Sequence, residues 1–99
     1  MEIIKNYQDQ KLTVILKEKL DILTSPELEK SMTCALDGIS ELVFDFTDLD
    51  YISSSGLRVL LATQKKMNAA GGKMIVTGVN EVVAEVFEVT GFDRLLTIR

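Results

Sequence analysis

The strongest constraint on the fold of this chain is the repeated switching of its hydrophobic period from Glu41 onward. Glu41-Leu42-Val43-Phe44-Asp45-Phe46 is an apolar strand run. Leu57, Leu60, Leu61, Gln64 and Met67 then recur at helical spacing, with Val59 and Ala62 widening the stripe, until Gly71-Gly72 stops it. Lys73–Thr77 reads as a strand again, followed by a turn at Gly78. Asn80 caps a helix through about Val89 that buries Val83, Val86 and Phe87, and Gly91 ends it. Leu95–Ile98 is a last short strand. Strands that alternate with helices in this way demand parallel pairs joined by right-handed crossovers.

The first part of the chain adds an antiparallel edge. Residues 2–8 and 11–17 read as strands around a turn at Asp9-Gln10, a link short enough for a hairpin. Leu12, Val14 and Leu16 give the second strand one apolar face. Leu20-Asp21-Ile22-Leu23 leads to Thr24-Ser25-Pro26-Glu27, where a capping hydroxyl, a first-turn proline and an acid start a helix. That helix is expected to run to about Leu36, with Leu28, Met32, Ala35 and Leu36 on one stripe, and to end at Asp37-Gly38. The expected fold is α/β: one domain over residues 1–99, a mixed β-sheet in the order β-β-α-β-α-β-α-β, with helices packed on it.

Composition narrows the function. The 99 residues carry a net charge of −4 and no basic cluster, which excludes a nucleic-acid footprint and makes an anionic membrane surface a poor partner. No apolar run approaches the length of a membrane span, and Met1-Glu2-Ile3-Ile4-Lys5 lacks a signal-peptide pattern, so the expected compartment is the cytoplasm. Histidine is absent, which removes Ser-His-Asp and Cys-His catalysis. Cys34 is the only cysteine; it reads as a small core or boundary residue, and it supplies too few soft ligands for zinc. Neither a GxxxxGK[ST] phosphate loop nor a GxGxxG is present. No enzyme activity, metal or cofactor is expected.

What remains is the stretch Asp48-Leu49-Asp50-Tyr51-Ile52-Ser53-Ser54-Ser55-Gly56-Leu57, read as a loop between a strand and a helix. Loops at the carboxyl ends of parallel strands are where α/β proteins meet ligands and partners. The unpaired amides of a first helical turn and the helix dipole favour negative charge, so a phosphate on one of the serines has a place to sit. Asp45, Asp48 and Asp50 lie nearby, and Asp21 comes from the neighbouring strand–helix loop. A dianion added among these carboxylates changes the surface potential sharply. The same residues also fit a plain turn with an N-cap, or a magnesium site built from paired aspartates. Val82, Phe92 and Leu96 form an apolar fringe that reads equally as core or as partner contact.

Val43 to Leu61, reading VFDFTDLDYISSSGLRVLL, resembles the signature of the STAS domain, in particular the stand-alone bacterial anti-sigma factor antagonists. Leu20-Asp21 looks like the family's Leu-Asp after the second strand. Gly71-Gly72 looks like its Gly-Gly before the next strand, and Val86–Phe92 resembles its closing F-x-x-[ST]-G-[LF]. Two positions depart from the pattern: Ser53 stands where the family has aspartate, and Glu18 where it usually has glycine.

The resemblance implies a STAS-like mixed sheet and a carrier of regulatory phosphate. A serine of the loop would be phosphorylated by an anti-sigma factor with serine kinase activity, and a PP2C-like phosphatase would remove the phosphate. Only the unphosphorylated form would bind the anti-sigma factor and release a sigma factor. By position the phosphorylated residue is Ser54, with Ser55 and Ser53 as second and third choices. Asp21, Asp48, Asp50 and Gly56 would shape the site, and Leu57 with Arg58 would border the partner surface. The protein is expected to act as a monomer. The alternative is a constitutive STAS interaction module of another regulatory or transport complex, never phosphorylated.

Overall fold

The computed structural model describes all residues from Met1 to Arg99. Strands β1 (Glu2–Gln8) and β2 (Lys11–Leu20) form the expected antiparallel hairpin. It turns through Asp9 at φ 56°, a left-handed conformation that aspartate adopts more readily than most residues. Helix α1 (Ser25–Met32), β3 (Glu41–Asp45) and β4 (Leu49–Ile52) follow. Then come α2 (Ser54–Ala69), β5 (Lys73–Thr77), α3 (Glu81–Thr90), α4 (Phe92–Leu95) and β6 (Thr97–Ile98).

The sheet runs β1-β2-β3-β5-β6, and β4 pairs with the carboxyl end of β2. Every pair except β1–β2 is parallel. Period-two patterning explains its buried face. Leu12, Leu42 and Met74 lie in register across three strands, as do Val14, Phe44 and Val76, and all six are buried. Leu28 and Met32 of α1, Leu57, Leu60 and Met67 of α2, and Val83 and Phe87 of α3 complete the same core. Each such side chain contributes about 1.5–3 kcal/mol on leaving water, so this face fixes the register of the sheet. Phe44, Phe46 and Phe87 run through it with successive ring centroids 5.9 and 6.5 Å apart.

The mixed sheet with packed helices is the architecture read from the sequence, but four local features differ. A sixth strand, β4, occupies a stretch whose sequence reads as loop. Its burial runs buried, exposed, exposed, buried, so it shows no alternation. The cause lies in β2, whose pairing with β4 shifts register between Glu18 and Lys19, where Glu18 has φ 75°. Helix α1 stops at Met32 instead of Leu36: the Thr33 amide donates to Lys30 O, an i−3 bond that tightens the path into turns. Helix α2 begins at Ser54, three residues earlier than the apolar stripe suggested. Phe92–Leu95 form the short α4, which leaves β6 only two residues. No helix is long and apolar enough to cross a membrane.

Candidate functional site

The site forms where β2 and β4 end together. Leu20 pairs with Ile52, which sets Asp21 and Ser53 side by side just past the carboxyl ends of the two strands. The Ser53 amide donates to Leu20 O at 2.9 Å, and Ser53 O accepts the Leu57 amide at 3.0 Å. Ser53 is therefore the extended N-cap residue of α2, at φ −103° and ψ 176°. Its hydroxyl does not cap: Ser53 Oγ is buried with no hydrogen-bond partner. The amides of Ser54, Ser55 and Gly56 head the helix without intrahelical acceptors, at the positive end of the dipole.

Gly56 explains how this turn seats itself. A β-carbon there would lie 2.7 Å from Leu20 Cγ and 2.9 Å from Ile52 Cγ1. Only a residue without one lets the helix start lie directly on the two strand ends. The turn then sorts its side chains. Ser54 is exposed, Ser55 is half-buried, and Leu57 is 3% exposed and belongs to the core. The sequence places Leu57 with Arg58 at the border of a partner surface, but Leu57 is buried and only Arg58 lies on the exposed side of this turn. Ser55 and Arg58 line a groove of about 650 Å³ between α1 and α2, together with Ile22, Pro26 and Lys30.

Asp21 organises the neighbouring loop. Its carboxylate accepts the amides of Leu23 (3.0 Å) and Thr24 (3.1 Å). Partial burial pushes its pKa up, but the Thr24 and Leu23 amides, the Thr24 hydroxyl and the Lys19 charge outweigh that, and the carboxyl is held below its usual value. Thr24 is the N-cap residue of α1, yet its hydroxyl does not serve the helix. It accepts the Asp21 amide and donates back to Lys19 O, both at 2.9 Å. Pro26 occupies the first turn as read from the sequence.

The other aspartates separate. Asp50 joins Asp21 around a small cleft that also includes Glu18, Lys19 and Thr24. Asp48 lies at the opposite end of β4 from Ser53, and its carbonyl accepts the Glu18 amide at 3.0 Å. The intervening strand holds the two apart by roughly 16 Å at about 3.3 Å per residue. Asp45 turns back on its own chain, taking the Thr47 amide at 3.0 Å and the Thr47 hydroxyl at 2.6 Å. Nowhere do three His, Cys, Asp or Glu side chains converge in a way that holds a metal ion.

Two residues beside this site escaped the sequence reading. Ile22 and Leu23 are 71% and 83% exposed, at the tip of the loop that Asp21 and Thr24 hold rigid. Their signal was available: an apolar pair set between Asp21 and a helix-start pattern belongs to a loop and has no core to enter. Tyr51 stands exposed on β4.

The STAS domain family matches residues 2–99. The anti-sigma-B factor antagonist of Staphylococcus aureus (strain NCTC 8325 / PS 47) is 29% identical over 92 residues, which span 92% of this chain and 85% of that protein. Among solved structures, an anti-sigma factor antagonist from Mycobacterium paratuberculosis has a TM-score of 0.87 at 23% identity, over 98% of this chain and 83% of that one. The anti-sigma factor antagonist SpoIIAA in its unphosphorylated form has a TM-score of 0.86 at 17% identity, over 99% and 88% of the two chains. Its phosphorylated form, described as a Bacillus cell fate determinant, has a TM-score of 0.75 at 16% identity, over 99% and 91%. These structural likenesses show the fold.

Proposed function

The chain belongs to the STAS domain family, and we propose that it is an anti-sigma factor antagonist controlled by phosphorylation of Ser54. Unphosphorylated, it binds an anti-sigma factor that is also a serine kinase, and so frees a sigma factor in the cytoplasm. Phosphate on Ser54 ends that binding, and a PP2C-like phosphatase restores it. The protein works by binding and carries no catalytic group or cofactor of its own. The S. aureus relative's name supports the role in outline.

One observation carries the assignment. Ser54 is the exposed first residue of a helix whose leading amides have no cap, at the carboxyl end of parallel strands and next in sequence to the residue that flanks Asp21. A phosphoryl group there adds about −1.5 to −2 charges within reach of the helix dipole. Asp21, held ionised by its hydrogen bonds, and Asp50 across the same cleft oppose that new charge. The modification therefore changes the potential of the partner face while leaving the core untouched. Ser55 is half-buried and Ser53 Oγ is enclosed, which makes them poorer acceptors for a kinase. Asp48 contributes through the backbone, by holding the β2 distortion beside which β4 pairs. Gly56 seats the turn, and Arg58 borders the partner surface.

Incubation with a serine-kinase anti-sigma factor and ATP, followed by intact-mass measurement and peptide mapping, tests this. A gain of one phosphoryl group mapped to Ser54, and lost in Ser54→Ala, is the expected result. An unchanged mass overturns the switch and leaves a constitutive binding module; a gain at Ser55 overturns only the choice of serine.

A further inference from the structure

We propose that the solvent side of α3 is a second docking surface, fitted to an amphipathic helical segment whose apolar stripe is flanked by lysines or arginines. This surface is separate from Ser54, and the proposal does not depend on phosphorylation.

A helix that covers a sheet needs one apolar stripe, and α3 has more than one. Val83 and Phe87 face the core and are buried. Val82, Val86 and Val89, spaced i, i+4 and i+7, form a further strip along one side. Val82 is 52% exposed and Val89 78%, with Val86 half-buried between them. The three valines, with Glu85 and Thr90, line a shallow groove of about 300 Å³. Leu95, 55% exposed, adds apolar surface on the adjoining α4. The apolar fringe of Val82, Phe92 and Leu96 divides between core and surface. Leu96 is core, Phe92 packs against the core, and Val82 faces solvent.

Charge selects the occupant. Helix α3 carries Glu81, Glu85 and Glu88 and no basic residue. A second copy of this helix would bring three glutamates against three, which electrostatics opposes. Nucleic acid and anionic membrane surfaces are repelled for the same reason. An apolar groove with an acidic rim instead matches a helix-in-groove mode in which valine, leucine or isoleucine anchors fill the strip and cations meet the glutamates. The surface is also rigidly placed. Asn80 caps α3 by accepting the Val83 amide at 2.8 Å, and its side-chain amide donates to Leu49 O at 3.0 Å, tying the helix start to β4.

The test uses an amphipathic leucine–lysine peptide as probe, titrated into the isotope-labelled protein while methyl resonances are followed by NMR. Shifts confined to Val82, Val86, Val89 and Leu95, weakening as salt rises, are expected. A twin peptide with glutamate for every lysine should produce none. The double substitution Val82→Gln, Val89→Gln should reduce affinity about tenfold or more, with an unchanged melting temperature showing that the fold is kept. Shifts spread over other faces, equal binding of the acidic twin, or equal affinity of the double variant would overturn the proposal. So would a dimer of the free protein, in which those methyls are already covered.

Discussion

At the scale of single residues, two positions near the strand ends have consequences that can be measured separately. Glu18 holds φ 75° at the point where β2 shifts register, in the place that the STAS pattern usually fills with glycine. A left-handed conformation costs a side-chain-bearing residue about 1–2 kcal/mol, and glycine's greater unfolded-state entropy takes back part of that gain. Glu18→Gly should therefore raise stability by about 0.5–1 kcal/mol, read as a higher urea midpoint with an unchanged slope. Asp21 acts through its charge. Its folded-state pKa lies below the unfolded value, so its stabilising effect is complete above the unfolded pKa and is lost as pH falls through the folded one. Asp21→Ala should lower the melting temperature at neutral pH, and the gap from the unmodified protein should narrow below about pH 4. A gap that stays constant with pH would assign Asp21 a steric role only.

At the scale of elements, Gly56 decides where α2 sits. Gly56→Ala pushes a methyl into Leu20 and Ile52, and overpacking of this kind costs about 1–3 kcal/mol. The expected result is a protein that still folds, with lowered stability and shifted resonances at Ser53, Ser54 and Ser55, followed by urea unfolding and NMR. The elements also show which parts of the structure the sequence made legible. Strands β2, β3 and β5 and helices α2 and α3 announce themselves because a buried face imposes strict periodicity. The Asn80 cap and the left-handed Gly91 are local chemistry, readable without tertiary information. Strand β4 was hidden because Leu49 and Ile52 are buried with two exposed residues between them, a spacing created by the distortion in β2. Its presence moves Asp48 to the far end of the strand from Ser53, which spacing along the chain could not reveal. Leu57 was misplaced because an apolar residue at a helix start fits both a core and a partner surface until the helix is oriented.

At the scale of the whole molecule, the buried sheet face supplies a stiff body, and the features proposed to meet partners lie on its rim. One is the Asp21–Ser54–Arg58 corner with the exposed Ile22-Leu23 tip; another is the valine strip of α3. The first was largely legible from the serine-rich stretch and its resemblance to the STAS signature. The valine strip was not, since periodicity marks Val82, Val86 and Val89 as apolar without saying which way they face. For Ser54 to act as a switch, phosphate at one corner must alter binding without altering the fold. The measurement is the affinity of the unmodified protein and of Ser54→Ala for the same anti-sigma factor kinase, before and after addition of ATP. Equal binding at the start, release of the unmodified protein once ATP is present, and retention of Ser54→Ala are expected. Release of both proteins, or of neither, would contradict the switch.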